Sequence, residues 1–486
     1  MPLPKPHKKE KQRDFIDRCM GDSVMNQDYP DNKQRAAVCY SQWRNKKKED
    51  EKVISPNDKL RILVWGMGLE TEHAAKMADE GNTVYNYTVW QDTFARFEKA
   101  VIGDGFPGVT NTFFPFEQIE ETDMICFFDI GWGDLADWLR KKGYTVLGAG
   151  RGEMLEIKRF EFRQLQKAIG LPTQPTWEIE GLDNLRKFLA GEEKVPVITI
   201  DGEEIMMKGH DNIMVKIDLW RGNIESFHAA TEPHVDYLLD RSKVDFGPYK
   251  NKIKFVLEEF IETKIEFGVD TFHNGKHFIW PCSFGVEFKS AFIGKWCEKE
   301  DLPPCLQNTI EKLEPILAAS DYRGPISTEE RAVNKDLSYL IDMTCRYAYP
   351  LSAAFTEALN DYSMTMYHIA RGDDVRLDVK AKYFGCLPLE SPEGEKFWER
   401  VDFDPKLRNS IKFRTAVNVD GTFHTTPGFV SLVTLVAIGD SPEEVAQKLY
   451  DLIPEVSAYK LETDMVSGPN EILKKIEELR KWGVDF

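Results

Sequence analysis

From residue 59 to residue 150 the chain repeats one pattern: a short apolar run, a glycine turn, then helical apolar spacing. Residues 60–65 run into Gly66-Met-Gly68-Leu-Glu-Thr-Glu72-His73, and a helix is expected to begin near Glu70. Residues 83–88 read as a second strand. Residues 123–129 are a third, leading into Gly131-Trp-Gly133-Asp134 and a helix; 144–147 are a fourth, ending at Gly148-Ala-Gly150. Strands alternating with helices predict an α/β region built on an open, mostly parallel sheet. Ligands of such sheets sit at the C-terminal strand ends, where these glycine turns fall. A strand feeding a glycine turn and a helix N-terminus lets backbone N–H groups face an anion. The first turn is not GxGxxG, because Thr71 stands where the third glycine belongs, so no dinucleotide fingerprint is predicted. His73 is expected to cap or pack, and the aromatic stretch 85–97 to serve the core.

The chain has 486 residues, enough for roughly two to four domains. No run approaches the ~20 apolar residues of a membrane span. The Lys-rich start lacks the apolar stretch of a secretory signal. The eight cysteines stand singly, without a CxxC pair, so reduced thiols in a cytoplasmic compartment are expected rather than a disulfide frame or zinc site. A net charge of −18 argues against broad coating of nucleic acid.

Residues 1–55 differ in texture from the rest. KPHKKEKQ and RNKKKEDEK are charge runs expected to be mobile. Between them, Phe15, Cys19, Met20 and then Ala36, Ala37, Tyr40, Trp43 have helical spacing, which predicts two short helices around a Tyr-Pro-Asp break. The Arg-Cys-Met-Gly-Asp and Gln-Arg-Ala-Ala-Val-Cys stretches resemble a module of tailed-bacteriophage proteins. That resemblance implies an arm that docks a protein partner, and a host-cytoplasm setting if the chain is phage-encoded.

Residues 151–173 read as one helix, with Leu155, Phe162, Leu165 and Ile169 as its buried stripe and Gly170 and Pro172 as its stop. Arg159 and Arg163 share one face of it. A helix over 182–189, a strand over 195–200 and an Asp201-Gly-Glu turn precede an insertion. The strand 213–217 carries Lys216, and the loop 219–225 carries Arg221 and Gly222. Strand 255–260 holds Glu258, Glu259 and Phe260, strand 264–272 holds Glu266, and Asn274-Gly275 signals a type I′ hairpin returning over 277–280.

Between 322 and 350 two apolar-alternating runs, 326–333 and 337–344, flank an Asn-Lys-Asp turn, which predicts a β-hairpin. Glu329 lies on the first run and Asp342 on the second. Two carboxylates on paired strands can hold Mg²⁺ and leave room for phosphate oxygens. Beyond the hairpin, 351–369 reads as a helix, and 377–387, 411–419 and 428–438 as strands, with Asp420-Gly421 turning to 423–425. Ser441-Pro442-Glu443-Glu444 starts a helix, and 469–482 is a final amphipathic one.

The order of these pieces resembles the ATP-grasp ligases, and most of all the phosphoribosylamine–glycine ligase family. The likeness is carried by RILVWGMGLETEHAAKMA, VLGAGRGEMLEIKRFEFRQLQKAIGLPT, VLEEFIETKIEFGVDTFHNGK, YRG…LIDMTCRYAYP and DGTFHTTPGFVSLVTLVAIGDSPEEVAQKLYDLIPEV. It implies a flexible arm over 1–55, a Rossmann-like pre-ATP-grasp domain over 56–150, an ATP-grasp domain over 151–355 with its lid at about 175–260, and a C-terminal α+β domain over 356–486. It implies ATP and Mg²⁺ as cofactors. The resemblance assigns phosphate contacts to Lys216 and Arg159, the adenine edge to backbone around Glu258, Glu259 and Phe260, and the ribose to Glu266. It assigns the metal to Glu329, Asp342 and Thr344, and the acyl phosphate to Arg346.

Several positions depart from the family. Its lysine is Arg159 here and its metal-site asparagine is Thr344. Its Gly-Lys-Gly lid loop is Trp220-Arg221-Gly222-Asn223, its Gly-Pro-Glu turn is Asp129-Ile-Gly131-Trp132, and its acidic stretch after the metal strand is Tyr347-Ala-Tyr349-Pro350. The expected function is an ATP-dependent carboxylate–amine ligase with a changed acceptor. The alternative is an inactive nucleotide-binding relative with a structural or interaction role in a phage.

Overall fold

The computed structural model describes all of the chain except residues 1–2, 8–9, 50–53, 56, 69–70, 89–100, 219–225, 264, 289–290 and 463–466, and the side chains of 44–49. The helix start at Glu70, most of the aromatic stretch and the loop with Arg221 and Gly222 therefore lie outside the described residues. Two compact units result, one of Met1–Lys59 with Leu139–Tyr144, the other of Leu60–Trp138 with Thr145–Phe486.

In the larger unit the glycine-turned region forms an all-parallel sheet. Its order is Val109–Asn111, Thr83–Thr88, Arg61–Gly66, Met124–Phe127, Val146–Leu147. The first of these strands has no apolar run to mark it in the sequence. Helix Thr71–Asp79 buries His73, whose Nδ1 lies 2.8 Å from the Tyr362 hydroxyl and whose ring stacks on Tyr347. Packing is thus the role the fold gives it.

A second, antiparallel sheet runs Phe227–His228, Ile213–Ile217, Lys254–Glu259, Thr176–Glu180, Lys194–Thr199, Glu204–Lys208. The last strand replaces the expected insertion. It is an edge strand with little buried surface, so its sequence carries no in–out alternation. The third sheet has eight strands in the order Leu337–Thr344, Arg323–Asn334, Ile265–Asn274, Cys282–Phe288, Ala291–Cys297, Tyr383–Glu390, Ser431–Gly439, Ile411–Phe413. The predicted hairpin is its first pair, and the largest core cluster spreads over this sheet.

Two expected helices each divide in two, and a distant carboxylate caps the second piece of each. The 151–173 helix divides at Lys158 into Met154–Ile157 and Arg159–Ala168; Asp218 accepts from the Phe160 N–H at 2.7 Å and so caps the second piece. The 351–369 helix divides into Leu351–Ala358 and Tyr362–Arg371, and Glu80 accepts from the N–H groups of Tyr362 and Ser363 at 3.0 and 2.8 Å. The expected 411–419 strand also divides, into Ile411–Phe413 in the eight-stranded sheet and Ala416–Val419 in a separate three-stranded one. At Asn274-Gly275 only the glycine has positive φ (+91°), and the return is a single bridge from His273 to Phe278 rather than a type I′ hairpin. Asp420 and Gly421 both have positive φ, as a type I′ turn requires.

The N-terminal residues form three helices rather than two: Gln12–Gly21, Ser23–Asp28 and Asn32–Glu49. The last runs through much of the RNKKKEDEK charge run, which was expected to be mobile. Cys19 and Cys39 are joined in a disulfide, with Cα atoms 5.9 Å apart, against the expectation of reduced thiols. The antiparallel course of the first and third helices brings together cysteines 20 apart in sequence, which spacing rules for CxxC pairs do not see. The other six cysteines are free and buried. Among the described residues, no helix is long and apolar enough to cross a membrane.

Candidate active site

The site is built around a break in the hairpin. Glu329 faces Asp342 across the ladder, but the next residue, Glu330, faces Leu340, so Ile341 is an extra residue on its strand. A bulge of this kind re-aims a side chain and leaves backbone groups without ladder partners. The freed carbonyls are taken up by side chains from elsewhere. Lys216 Nζ donates to Ile341 O at 2.8 Å, Gln166 Nε2 to Leu340 O at 3.0 Å, and Arg163 to both carbonyls.

Lys216 is 3 % exposed on its strand and Arg163 is 1 % exposed on its helix. Both face Glu258. Arg163 Nε lies 2.5 Å from Glu258 Oε1, Lys216 Nζ lies 3.4 Å from Oε2, and Gln174 donates to Oε2 at 3.1 Å. Burial pushes the Glu258 carboxyl up, but the Arg163 and Lys216 charges outweigh it and hold the group below its ordinary value. Lys216 also donates to Asp342 Oδ2 at 2.8 Å, and Arg159 Nε lies 3.7 Å from Asp342 Oδ1. Burial again opposes ionisation of Asp342, and Lys216, Arg159 and Arg163 together hold its carboxyl low.

A cavity of about 130 Å³ opens between the second and third sheets. Lys216, Glu258, Glu259 and Phe260 line it from one sheet and its strand end, and Glu266, Glu329 and Asp342 from the other. A second cavity of about 110 Å³ shares Glu329 and adds Thr344, Asp270, Glu287 and Tyr349. Burial, then the charges of Asp342, Glu287 and Glu266, push Glu329 up to about 8. Burial and the neighbouring carboxylates push Glu287 to about 8; burial and Glu329 push Asp270 to about 7.

The structure thus brings together seven sequence-predicted residues in one cavity, and Thr344 in the adjoining one. Arg159 and Arg346 line neither. Arg159 Nη1 donates to Ile217 O at 3.0 Å. Arg346 Nε is held by Glu156 at 3.0 Å and Asp129 at 3.4 Å. The N–H groups of Glu259 and Phe260 already bond to Pro175 O and Asn212 O, at 2.9 and 3.3 Å. The Phe260 ring stacks on His228 with centroids 4.0 Å apart, and the Arg331 guanidinium lies 4.7 Å from its centroid. Arg331 Nε in turn pairs with Glu266 at 3.1 Å.

In the sequence Arg163 is legible only as part of a helix face, and Gln166, Gln174, Arg331, Asp270 and Glu287 carry no signal that marks them for the site. Their spacing is that of ordinary surface polar residues. Only the fold reveals that they converge.

Among the described residues, no three Asp, Glu, His or Cys side chains are grouped closely enough to hold a metal by themselves. Mg²⁺ does not require that, since it commonly takes one or two carboxylates and shares the rest of its shell with phosphates and water. The facing Glu329 and Asp342 are hard oxygen donors, and the burial and the Asp342 charge that together raise Glu329 are what a divalent cation would offset. The residues present fit that ion.

A parallel α/β domain followed by two antiparallel sheets with a cationic strand residue between them is the ATP-grasp fold, and solved structures similar to this chain are ATP-grasp ligases. Phosphoribosylamine–glycine ligase from Thermotoga maritima is 16 % identical over 83 % of this chain and 98 % of its own, with a TM-score of 0.59. The biotin carboxylase domain of 2-oxoglutarate carboxylase from Hydrogenobacter thermophilus, solved with MgADP, ADP and bicarbonate, is 13 % identical over 88 % of this chain and all of its own, with a TM-score of 0.56. L-amino acid ligase from Bacillus licheniformis is 14 % identical over 83 % and 98 %, with a TM-score of 0.53. No family model and no curated protein matches the sequence.

Proposed function

We propose that the chain is an ATP-dependent carboxylate–amine ligase that works through an acyl phosphate, with an acceptor different from that of phosphoribosylamine–glycine ligase. The observation that carries this reading is Lys216. A lysine buried at the wall of a cavity between two sheets, shared by Asp342, Glu258 and a bulge carbonyl, puts a cation beside the facing Glu329 and Asp342, a donor set that suits a phosphate ligand together with Mg²⁺.

In this reading Lys216 and Arg159 meet the phosphates, backbone at the end of the Glu258–Phe260 strand meets the base, and Glu266 meets the ribose. Glu329 and Asp342 would hold Mg²⁺, with Thr344 beside them; the ion supplies charge neutralisation of the phosphates. Arg346, oriented by Glu156 and Asp129, is assigned to the acyl phosphate. A substrate carboxylate oxygen attacks the γ-phosphorus and the bond to the ADP oxygen breaks. The amine nitrogen then attacks the acyl carbon, inorganic phosphate leaves with the C–O electron pair, and the amine loses a proton. The chain's part is positioning and charge neutralisation.

The changed acceptor is supported by Asp129-Ile-Gly131-Trp132 and Tyr347-Ala-Tyr349-Pro350, which replace the stretches that face substrate in the resembled family. We assign the arm over 1–55 to a protein partner, with a phage origin suggested by its sequence alone. A second reading, an inactive relative, is favoured by one observation: Arg346 and Lys216 are both paired with the chain's own carboxylates.

Thermal stability with and without ATP–Mg²⁺ tests the nucleotide site. Ligand at ~100 times its dissociation constant should add ~2.7 kcal/mol. No shift at millimolar nucleotide would remove the reading. Mg²⁺-dependent ATP turnover across candidate amines separates the active reading from the inactive one. Failure to complement a purine auxotroph is expected, and success would remove the changed acceptor.

A further inference from the structure

The helix Arg159–Ala168 buries Arg163 and Gln166, 1 % exposed each, toward the hairpin. Burying a guanidinium is costly unless charge and hydrogen bonding are both compensated. Here both are. Arg163 pairs with Glu258, donates to Gln166 Oε1 at 2.9 Å, to Leu340 O at 3.3 Å and to Ile341 O. One side chain therefore joins the helix, the Glu258 strand and the bulge.

Those attachments meet the two groups on which the proposed chemistry depends. Glu258 is shared with Lys216, so Arg163 occupies the oxygen that Lys216 does not. Ile341 O is shared with Lys216 as well, and the residue after Ile341 is Asp342. Gln166 doubles the grip on Leu340 O. Without Arg163, Ile341 O keeps only the Lys216 donor and Leu340 O only Gln166, so the bulge loses its tie to Glu258 and the hairpin is freed to shift register past Ile341. Such a slip turns side chains to the opposite face. Asp342 would then leave the cavity, and Lys216 would lose its acceptors.

We infer that Arg163 is a positioning residue of the nucleotide site: acting through Glu258 and the bulge at Ile341, it holds Lys216 and aims Asp342. The inference rests on the nucleotide reading given above. It differs from a plain stability role because it predicts loss of ligand affinity in protein that remains folded.

The test uses the full chain with Arg163→Met, Arg163→Lys and the double variant Arg163→Met/Glu258→Gln. The double variant removes both charges of the buried pair, whereas the single methionine variant leaves Glu258 without its guanidinium partner. ADP–Mg²⁺ affinity is read by calorimetry well below the melting temperature, and amide exchange is read over residues 340–343. The double variant should bind ADP–Mg²⁺ at least about tenfold more weakly and exchange at least about tenfold faster over 340–343, the scale of one lost charged hydrogen bond. Arg163→Lys keeps the charge beside Glu258 but not the fork, and should recover part of the affinity. Unchanged exchange in the double variant overturns the inference whatever the nucleotide does. Affinity within about twofold of a wild type that binds overturns it as well. If the wild-type chain binds no nucleotide, the ligase reading falls, and exchange over 340–343 alone decides the part played by Arg163.

Discussion

Glu329 and Asp342 face each other across the hairpin at the last paired position before its register shifts, yet their carboxyls are driven in opposite directions. Lys216 and Arg159 stabilise the Asp342 carboxylate against its burial, while burial and then the surrounding carboxylates raise Glu329 to about 8 from 4.5. An acid raised on folding takes up its proton more readily in the folded state. Its stabilising contribution is full below pH 4.5 and is lost as pH rises through about 8. In metal-free buffer, Glu329→Gln should therefore flatten the fall in stability over that window, measured as urea midpoints against pH. A variant whose stability falls as steeply as that of the wild type would show that Glu329 does not carry this titration.

Asp342 is the acceptor for Lys216 and the proposed metal ligand. Asp342→Asn keeps the shape and removes the charge. ATP turnover should drop on the order of a hundredfold, the scale seen when one electrostatic contact to a transition state is removed. Full turnover in this variant would remove the metal assignment.

The disulfide between Cys19 and Cys39 closes a loop of 20 residues. Chain entropy puts the stabilisation from such a loop at ~3 kcal/mol. Hydrogen exchange in helices Gln12–Gly21 and Asn32–Glu49 should quicken by about two decades on reduction or in Cys19→Ala/Cys39→Ala, since ~1.4 kcal/mol is tenfold in an equilibrium constant. Equal protection in oxidised and reduced protein would mean that the helices hold without the bond.

Gly268 sits on the strand beside the hairpin, and a Cβ there would lie 1.8 Å from Thr328 O, a backbone atom with little freedom to move. Gly268→Ala should destabilise the chain by roughly 1–3 kcal/mol and weaken nucleotide binding by displacing the strand that bears Glu329. Gly21→Ala, with nothing within 4 Å of its new Cβ, is the control for stability. Equal melting temperatures in the two variants would contradict the crowding at Gly268.

Much of this fold could be read from sequence because its strands are apolar runs bounded by strong turns. Residues 83–88, 213–217 and 337–344 are strands over those ranges, and the Ser441 hydroxyl accepts from the Glu444 N–H as an N-cap. What could not be read shares one cause. Asp218, Glu80 and Arg163 act on backbone groups far away in the chain, and no local propensity records a helix capped by a remote carboxylate or a bulge held by a remote guanidinium. The cavity was legible through family motifs at Lys216 and Asp342, but the pairing that holds them was not. Arg346 was legible as a residue type, whereas its position between Glu156 and Asp129 was not.

The eight-stranded sheet passes without interruption from the hairpin into strands near the C-terminus, because Tyr383–Glu390 hydrogen-bonds to Ala291–Cys297. Without Tyr383–Glu390, the strand Ala291–Cys297, buried along its whole length, would be left as the edge of the sheet. Bare apolar edges recruit strands from other molecules. The strand Tyr383–Glu390 therefore acts as a built-in guard against self-association: a polypeptide that has not yet made it carries a template for aggregation.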